Sequence, residues 1–399
     1  MVQRVLEGSR GVAEAVALCR PQVVAAYPIT PQTHITENLA QLVADGDLKA
    51  EYVTVESEHS AASVVLGASA TGARAYTATA SQGLFLMTEV LFNIAGLRLP
   101  IVLTCANRAV SAPINIWNDQ QDSVALRDSG WIQLYAEDNQ EAVDLHLQAF
   151  KIAEREDVQL PVMVCLDGYV LTHAYQPLSL PTQEEVDAFL PPRRSYFALD
   201  PAHPLTLGGM AGPELYPEIR AAHHAALVSA SRAIQEVGAE FRERFGRGSA
   251  ALVEGENLAG AEVAIVAMGS VVSTVREAAV QLAAAGKKAA VVKVRAFRPF
   301  PAQEIRALLK AVPEVWVLEK DISLGSGGAL WHEVRSALAG VAPAPRILGF
   351  VAGLGGRDVT PSTVEAMAAW AAAHEAPAAA GPIFIDVGHS AAAERGEVR

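Results

Sequence analysis

Short apolar, β-rich runs alternate with longer stretches whose apolar residues recur at helical spacing along most of the chain. Residues 23–26, 52–55, 75–78, 101–105 and 162–166 read as strands, and 61–71, 84–94 and 140–155 as helices. Strand, helix, strand at this rhythm predicts crossover units and a doubly wound parallel sheet over roughly residues 1–180. The pattern then changes. Proline crowds residues 175–213 and predicts an extended connection, and 214–246 reads as one long charged bridging helix. Alternation resumes at Ala261. AEVAIVAMGS predicts a strand and turn, 274–285 a helix ended by Gly286, KKAAVVKVRAF a returning strand, and RPFP the start of another helix before the strand EVWVLEK. The expected organisation is an α/β domain over 1–180, a connection and bridging helix over 181–255, and a smaller α/β domain over 256–399 whose Ala/Pro-rich tail ends in mobile residues.

Composition narrows the function. Hydrophobic residues make up 51% of the chain and charged residues 19%, enough for a large core. Thirty-one basic against 44 acidic side chains leave a net charge of −13, which argues against nucleic acid or an anionic membrane as partner. The first twenty residues carry Arg4, Glu7, Arg10 and Glu14, so no signal-peptide core is expected and the location is read as cytoplasmic. Cys19, Cys105 and Cys165 are too few and too scattered for a four-thiolate cluster. No metal site is expected either, and His59 has no second ligand at a suitable spacing.

Three stretches concentrate chemistry. In AAYPITPQTHITE two prolines hold Thr30 beyond the end of a strand, where ligands of open α/β sheets collect; a helix cap is the alternative. In VTVESEHSAAS, Glu56 and Glu58 approach a helix of small residues. A carboxylate there is costly to ionise unless a partner, such as a cofactor ring nitrogen, bonds to it; helix capping by Glu58 is the alternative. In CANRAVSAPINIWNDQQDS, Arg108 follows an apolar strand and offers a fork suited to a carboxylate. A structural ion pair with an aspartate of the following loop would explain it equally. Asp119 and Asp122 could hold a positive group, or cap a helix. The chain lacks a GDG…Asn magnesium–diphosphate signature and a P-loop. The glycine runs LGSGGAL and GLGGRD read as tight turns, with phosphate cradles as the alternative.

AYPITPQT, ESEHSAAS, TATASQGL, ANRAVSAPINIWNDQQDSVALRDSGW and GLGGRDVTP, in this order, resemble the α subunit of the 2-oxoacid:ferredoxin oxidoreductases, especially the pyruvate type. The resemblance implies a pyrimidine-binding thiamine diphosphate domain followed by a transketolase-C-terminal-like domain. It further implies oxidative decarboxylation of a 2-oxoacid with coenzyme A, in a complex whose β subunit holds the magnesium–diphosphate site. Iron–sulfur clusters would sit in the β, γ and δ type partner subunits and pass electrons to ferredoxin or another acceptor. By the same resemblance Glu58 binds the pyrimidine nitrogen and promotes ylide formation, while Thr30 and Arg108 contact the substrate. Pyruvate is the default substrate. Phenylglyoxylate, other aryl or branched 2-oxoacids and oxalate are alternatives, and a non-catalytic scaffold subunit is the alternative of a different class.

Overall fold

The computed structural model describes residues 2–374 and 379–388. Its larger sheet has seven strands in the order Ala296–Arg298, Ile132–Tyr135, Val162–Asp167, Val102–Asn107, Ala75–Thr79, Val23–Ala26, Glu51–Thr54. All pairings are parallel except that of the first strand. The parallel strands therefore end on one edge of the sheet, and the loops that follow them meet there. The strands Val102–Asn107 and Val162–Asp167 are buried throughout, as strands covered on both faces must be.

A second, six-stranded sheet runs Ala379–Phe384, Arg346–Val351, Glu314–Glu319, Val263–Ala267, Ala289–Val294, Val253–Glu256, with Val253–Glu256 antiparallel to its neighbour. One apolar core crosses both sheets, joining Leu84, Leu103, Trp131 and Met163 to Val266, Val292, Phe297 and Leu330. The long helix, Tyr216–Phe245, lays Ile234, Val237, Phe241 and Phe245 into the core beneath the first sheet. Among the described residues, no helix is long and apolar enough to cross a membrane.

Four expectations need correction. The proline-rich connection contains regular structure: Tyr175–Leu180 pairs antiparallel with Val2–Glu7, and Gln183–Phe189 is a helix. Pro177 is tolerated because the two-stranded ribbon leaves one side of each strand unpaired, and Thr182 with Glu185 forms a capping box that starts the helix. The helix expected over 84–94 is two helices, Ser81–Leu86 and Thr88–Gly96, which adjoin at Met87. The strand expected from KKAAVVKVRAF breaks at Arg295. Ala289–Val294 stays in the second sheet, while Ala296–Arg298 crosses to pair with Ile132–Tyr135 of the first. Part of the Ala/Pro-rich tail forms the edge strand Ala379–Phe384. The chain's last residues, 389–399, expected to be mobile, lie outside the described residues.

Candidate functional site

The ends of four neighbouring parallel strands bring the three singled-out residues into one neighbourhood. Thr30 follows Val23–Ala26, Glu58 follows Glu51–Thr54, Thr79 ends Ala75–Thr79, and Arg108 follows Val102–Asn107.

Glu58 opens the helix Glu58–Ala70, but it is not the cap. Ser57 fills that role, its hydroxyl accepting the Ser60 N–H at 3.2 Å. Glu56 is exposed and accepts a hydrogen bond from Ser60 Oγ, which lowers its pKa. Glu58 is buried, at 7% exposure, and its carboxylate has no hydrogen-bond partner among the described residues. It points toward the helix Ser81–Leu86, where a Cβ built on Gly83 would stand 2.6 Å from Glu58 Oε1 and 2.4 Å from Thr79 Oγ1. The absence of a side chain at Gly83 lets Glu58 and Thr79 pack directly against this helix. Thr79 Oγ1 is itself buried without a partner. A buried carboxylate and a hydroxyl lacking bonds of their own among the described residues suit a ligand that carries nitrogen donors and acceptors.

Arg108 is buried, and no carboxylate pairs with its guanidinium among the described residues. Nε donates to Asn115 O at 3.0 Å and Nη1 to Thr30 O at 2.9 Å. The loop aspartate that could have formed a structural ion pair, Asp122, instead accepts the Arg108 backbone N–H at 3.0 Å. Burial lowers the pKa of the guanidinium, opposed by Asp122 and Tyr169. Thr30 thus reaches the site through its carbonyl, which orients the arginine.

Asp122, which sequence reasoning placed only as a cap or a holder of positive charge, is the hub. One carboxylate oxygen takes the backbone N–H groups of Ser81 at 2.9 Å and Arg108; the other takes Asn107 Nδ2 and the Ser123 N–H, both at 2.8 Å. Burial raises its pKa and these donors oppose the rise. Ser81 Oγ also donates to Ala109 O at 2.5 Å. One carboxylate thereby fixes the helix bearing Gly83 relative to the strand bearing Arg108.

Loops of the second sheet pack on the segment that follows Arg108. Asp119 accepts the Gly355 N–H at 3.0 Å, and burial pushes its pKa up to about 6. Asn115 Nδ2 donates to Gly355 O at 3.0 Å, Gln120 N–H to Lys320 O at 2.8 Å, and Lys320 Nζ to Asn118 Oδ1. GLGGRD is therefore a turn packed on the loop after Arg108. LGSGGAL is not a phosphate cradle, because Glu319 and Asp321 already take the N–H groups of Ala329, Leu330 and Trp331.

Comparison with known proteins places the chain in a family. Residues 14–239 match the family described as pyruvate flavodoxin/ferredoxin oxidoreductase, thiamine diphosphate-binding, and residues 261–364 match pyruvate:ferredoxin oxidoreductase core domain II. The chain is 49% identical to the pyruvate synthase subunit PorA of Methanothermobacter thermautotrophicus over 92% of this chain and 94% of that one. It is 44% identical to the ketoisovalerate oxidoreductase subunit VorA of Pyrococcus abyssi, over 92% and 93%. The solved 2-oxoglutarate:ferredoxin oxidoreductase of Magnetococcus marinus superimposes with a TM-score of 0.73 at 22% identity, covering 92% of this chain and 65% of that one, and so shares the fold. By sequence match across most of its length, the chain belongs to the pyruvate flavodoxin/ferredoxin oxidoreductase family.

Proposed function

We propose that this chain is the α-type subunit of a multi-subunit 2-oxoacid oxidoreductase. It receives the aminopyrimidine of thiamine diphosphate, and the complex converts a 2-oxoacid and coenzyme A to an acyl-CoA and carbon dioxide. The carrying observation is Glu58: buried, relieved of capping by Ser57, packed beside Thr79 against Gly83, and without a hydrogen-bond partner among the described residues. When bound, thiamine diphosphate supplies the carbanion equivalent that 2-oxoacid decarboxylation requires. Glu58 would hold a proton at the pyrimidine nitrogen, and Thr79 Oγ1 would bond to the ring's edge. Arg108, oriented by the carbonyls of Thr30 and Asn115, keeps its second terminal nitrogen for the substrate carboxylate.

Partner subunits of β, γ and δ type would supply the magnesium–diphosphate site and the iron–sulfur clusters that carry electrons to ferredoxin or another acceptor. This reading is supported by the missing diphosphate motif and by three cysteines that all lie buried in the fold. Pyruvate is the first substrate, because it names the activity of the 49%-identical relative. The 44%-identical ketoisovalerate relative makes a branched 2-oxoacid the second. The test is coenzyme A-dependent dye reduction by the native complex with pyruvate, 2-oxoisovalerate, phenylglyoxylate and oxalate. The highest kcat/KM should fall on pyruvate. An assembled, cofactor-loaded complex inactive with every 2-oxoacid would make the chain a scaffold subunit instead.

A further inference from the structure

Glu7, His34 and His173 are distant in sequence and show no ligand spacing. The fold assembles them. Glu7 ends the strand Val2–Glu7, His34 stands in the first turn of the helix Thr33–Ala44, and His173 follows the strand Val162–Asp167. One potential ligand atom from each lies within 4.8 Å of the other two. His34 Nδ1 meets Glu7 Oε1 at 2.8 Å, and the two imidazole rings are 4.7 Å apart. All three residues are half-buried, so an ion would shed part of its water there and still be reached from solvent.

The scaffold is held in place without any ion. Gly8 N–H donates to Ala174 O at 3.0 Å and Ser9 N–H to Thr172 O at 2.9 Å, which joins the segment of Glu7 to that of His173. A Cβ on Gly8 would stand 2.1 Å from Leu171 O, so the approach requires glycine. Thr172 Oγ1 lies 2.7 Å from His173 Nδ1. By accepting that N–H, it would leave Nε2 with the free lone pair, as the outer partner of a metal-bound histidine does.

We propose that Glu7, His34 and His173 form a site for a divalent transition-metal cation, with zinc the ion best matched to the donors. Two imidazoles and a carboxylate, with a fourth position for water, are an established zinc ligand set. Ligand atoms in a tetrahedral zinc site lie about 3.3 Å apart, so side-chain shifts of at most about 1.5 Å complete it, with the Glu7–His34 pair opening slightly from 2.8 Å. The carboxylate offsets one of the two cation charges. The bound ion ties the N-terminal strand, the helix downstream of Thr30 and the chain beyond Asp167 into one unit, independently of the thiamine diphosphate reading.

The experiment titrates the chelator-stripped full chain with Zn²⁺ by calorimetry and with Co²⁺ by visible absorption. One equivalent should bind, Co²⁺ should give the intense bands of a four-coordinate site, and Zn²⁺ should raise the melting temperature. His34→Gln and His173→Gln should each weaken Zn²⁺ binding at least about tenfold, while His59→Gln and His203→Gln, at exposed imidazoles, should change nothing. Glu7→Gln preserves size and carries the same expected loss should a histidine variant fail to fold. Absence of stoichiometric binding, or wild-type affinity in the His34, His173 and Glu7 variants that fold, overturns the site.

Discussion

Between the two sheets, Lys293, Arg295 and Arg276 are each matched to Glu137, Glu141 or Glu256; at the ends of the parallel strands, neither Glu58 nor the Arg108 guanidinium forms an ion pair among the described residues. Lys293 Nζ reaches Glu141 at 2.8 Å and Glu137 at 3.2 Å. Arg295, fully buried, donates to Glu141 at 3.1 Å and to Ser249 O at 2.7 Å. Arg276 joins Glu137 and, at 2.8 Å, Glu256. The strand ends are as buried, yet Thr79 Oγ1, Asn107 Oδ1, Asn118 Nδ2 and Gln120 Oε1 lack partners among the described residues. A buried polar group left unbonded costs about 1–3 kcal/mol. Satisfied charges hold a fold together. Unbonded polar atoms also occur elsewhere, at Gln133, Asn139 and Trp316, so it is their company with Glu58 and Arg108 that points to a ligand at the strand ends.

The contrast breaks most visibly at Arg295. Arg295→Ala leaves Ser249 O and part of Glu141 unpaired, and removing one partner of a buried ion pair costs about 3–5 kcal/mol. Chemical denaturation should show that loss, while the folded fraction keeps its KM for the 2-oxoacid. Arg108→Ala should do the reverse. It removes a charge-assisted contact worth about 1.5–3 kcal/mol, so kcat/KM should fall at least about tenfold in saturation kinetics with little change in melting temperature. Arg108→Lys should rescue only partly, because an ammonium lacks the planar fork. A destabilised Arg108→Ala complex with unchanged kcat and KM would move Arg108 to the structural side. A pH-dependent effect belongs to Asp119, whose folded pKa of about 6 lies above its unfolded value near 3.9. Its protonated form is the one the fold favours. That contribution is complete below about pH 3.9 and is lost as pH rises toward 6. Asp119→Asn should flatten this part of the pH–stability profile, measured by denaturation from pH 4 to 7.

Local signals in the sequence carried much of this picture. The β-rich runs located the parallel strands, and the prolines around Thr30 and the polar residues Glu58 and Arg108 were placed just past strand ends, where the structure has them. Their joint arrangement was not local. Asp122 serves as hub because it gathers N–H groups from Ser81 and Arg108, 41 and 14 residues away, and nothing near Asp122 reports that. Glu58 and Ser57 both suit the first turn of a helix, so only the folded chain assigns the capping to Ser57. The crossing of Ala296–Arg298 into the other sheet depends on Arg295, whose partners lie at residues 141, 148, 249 and 251. An apolar run such as KKAAVVKVRAF holds no mark of where it leaves one sheet for another.

The most direct test of the account is Glu58→Gln in the assembled complex, with thermal unfolding and turnover measured on one preparation. The amide keeps the size of the side chain but cannot hold the proton, and the Glu58 carboxylate makes no hydrogen bond among the described residues. Melting should therefore be unchanged, while turnover should fall on the order of 10²-fold or more. A complex that melts earlier yet turns over at the normal rate would contradict the account and make Glu58 a structural residue of its helix.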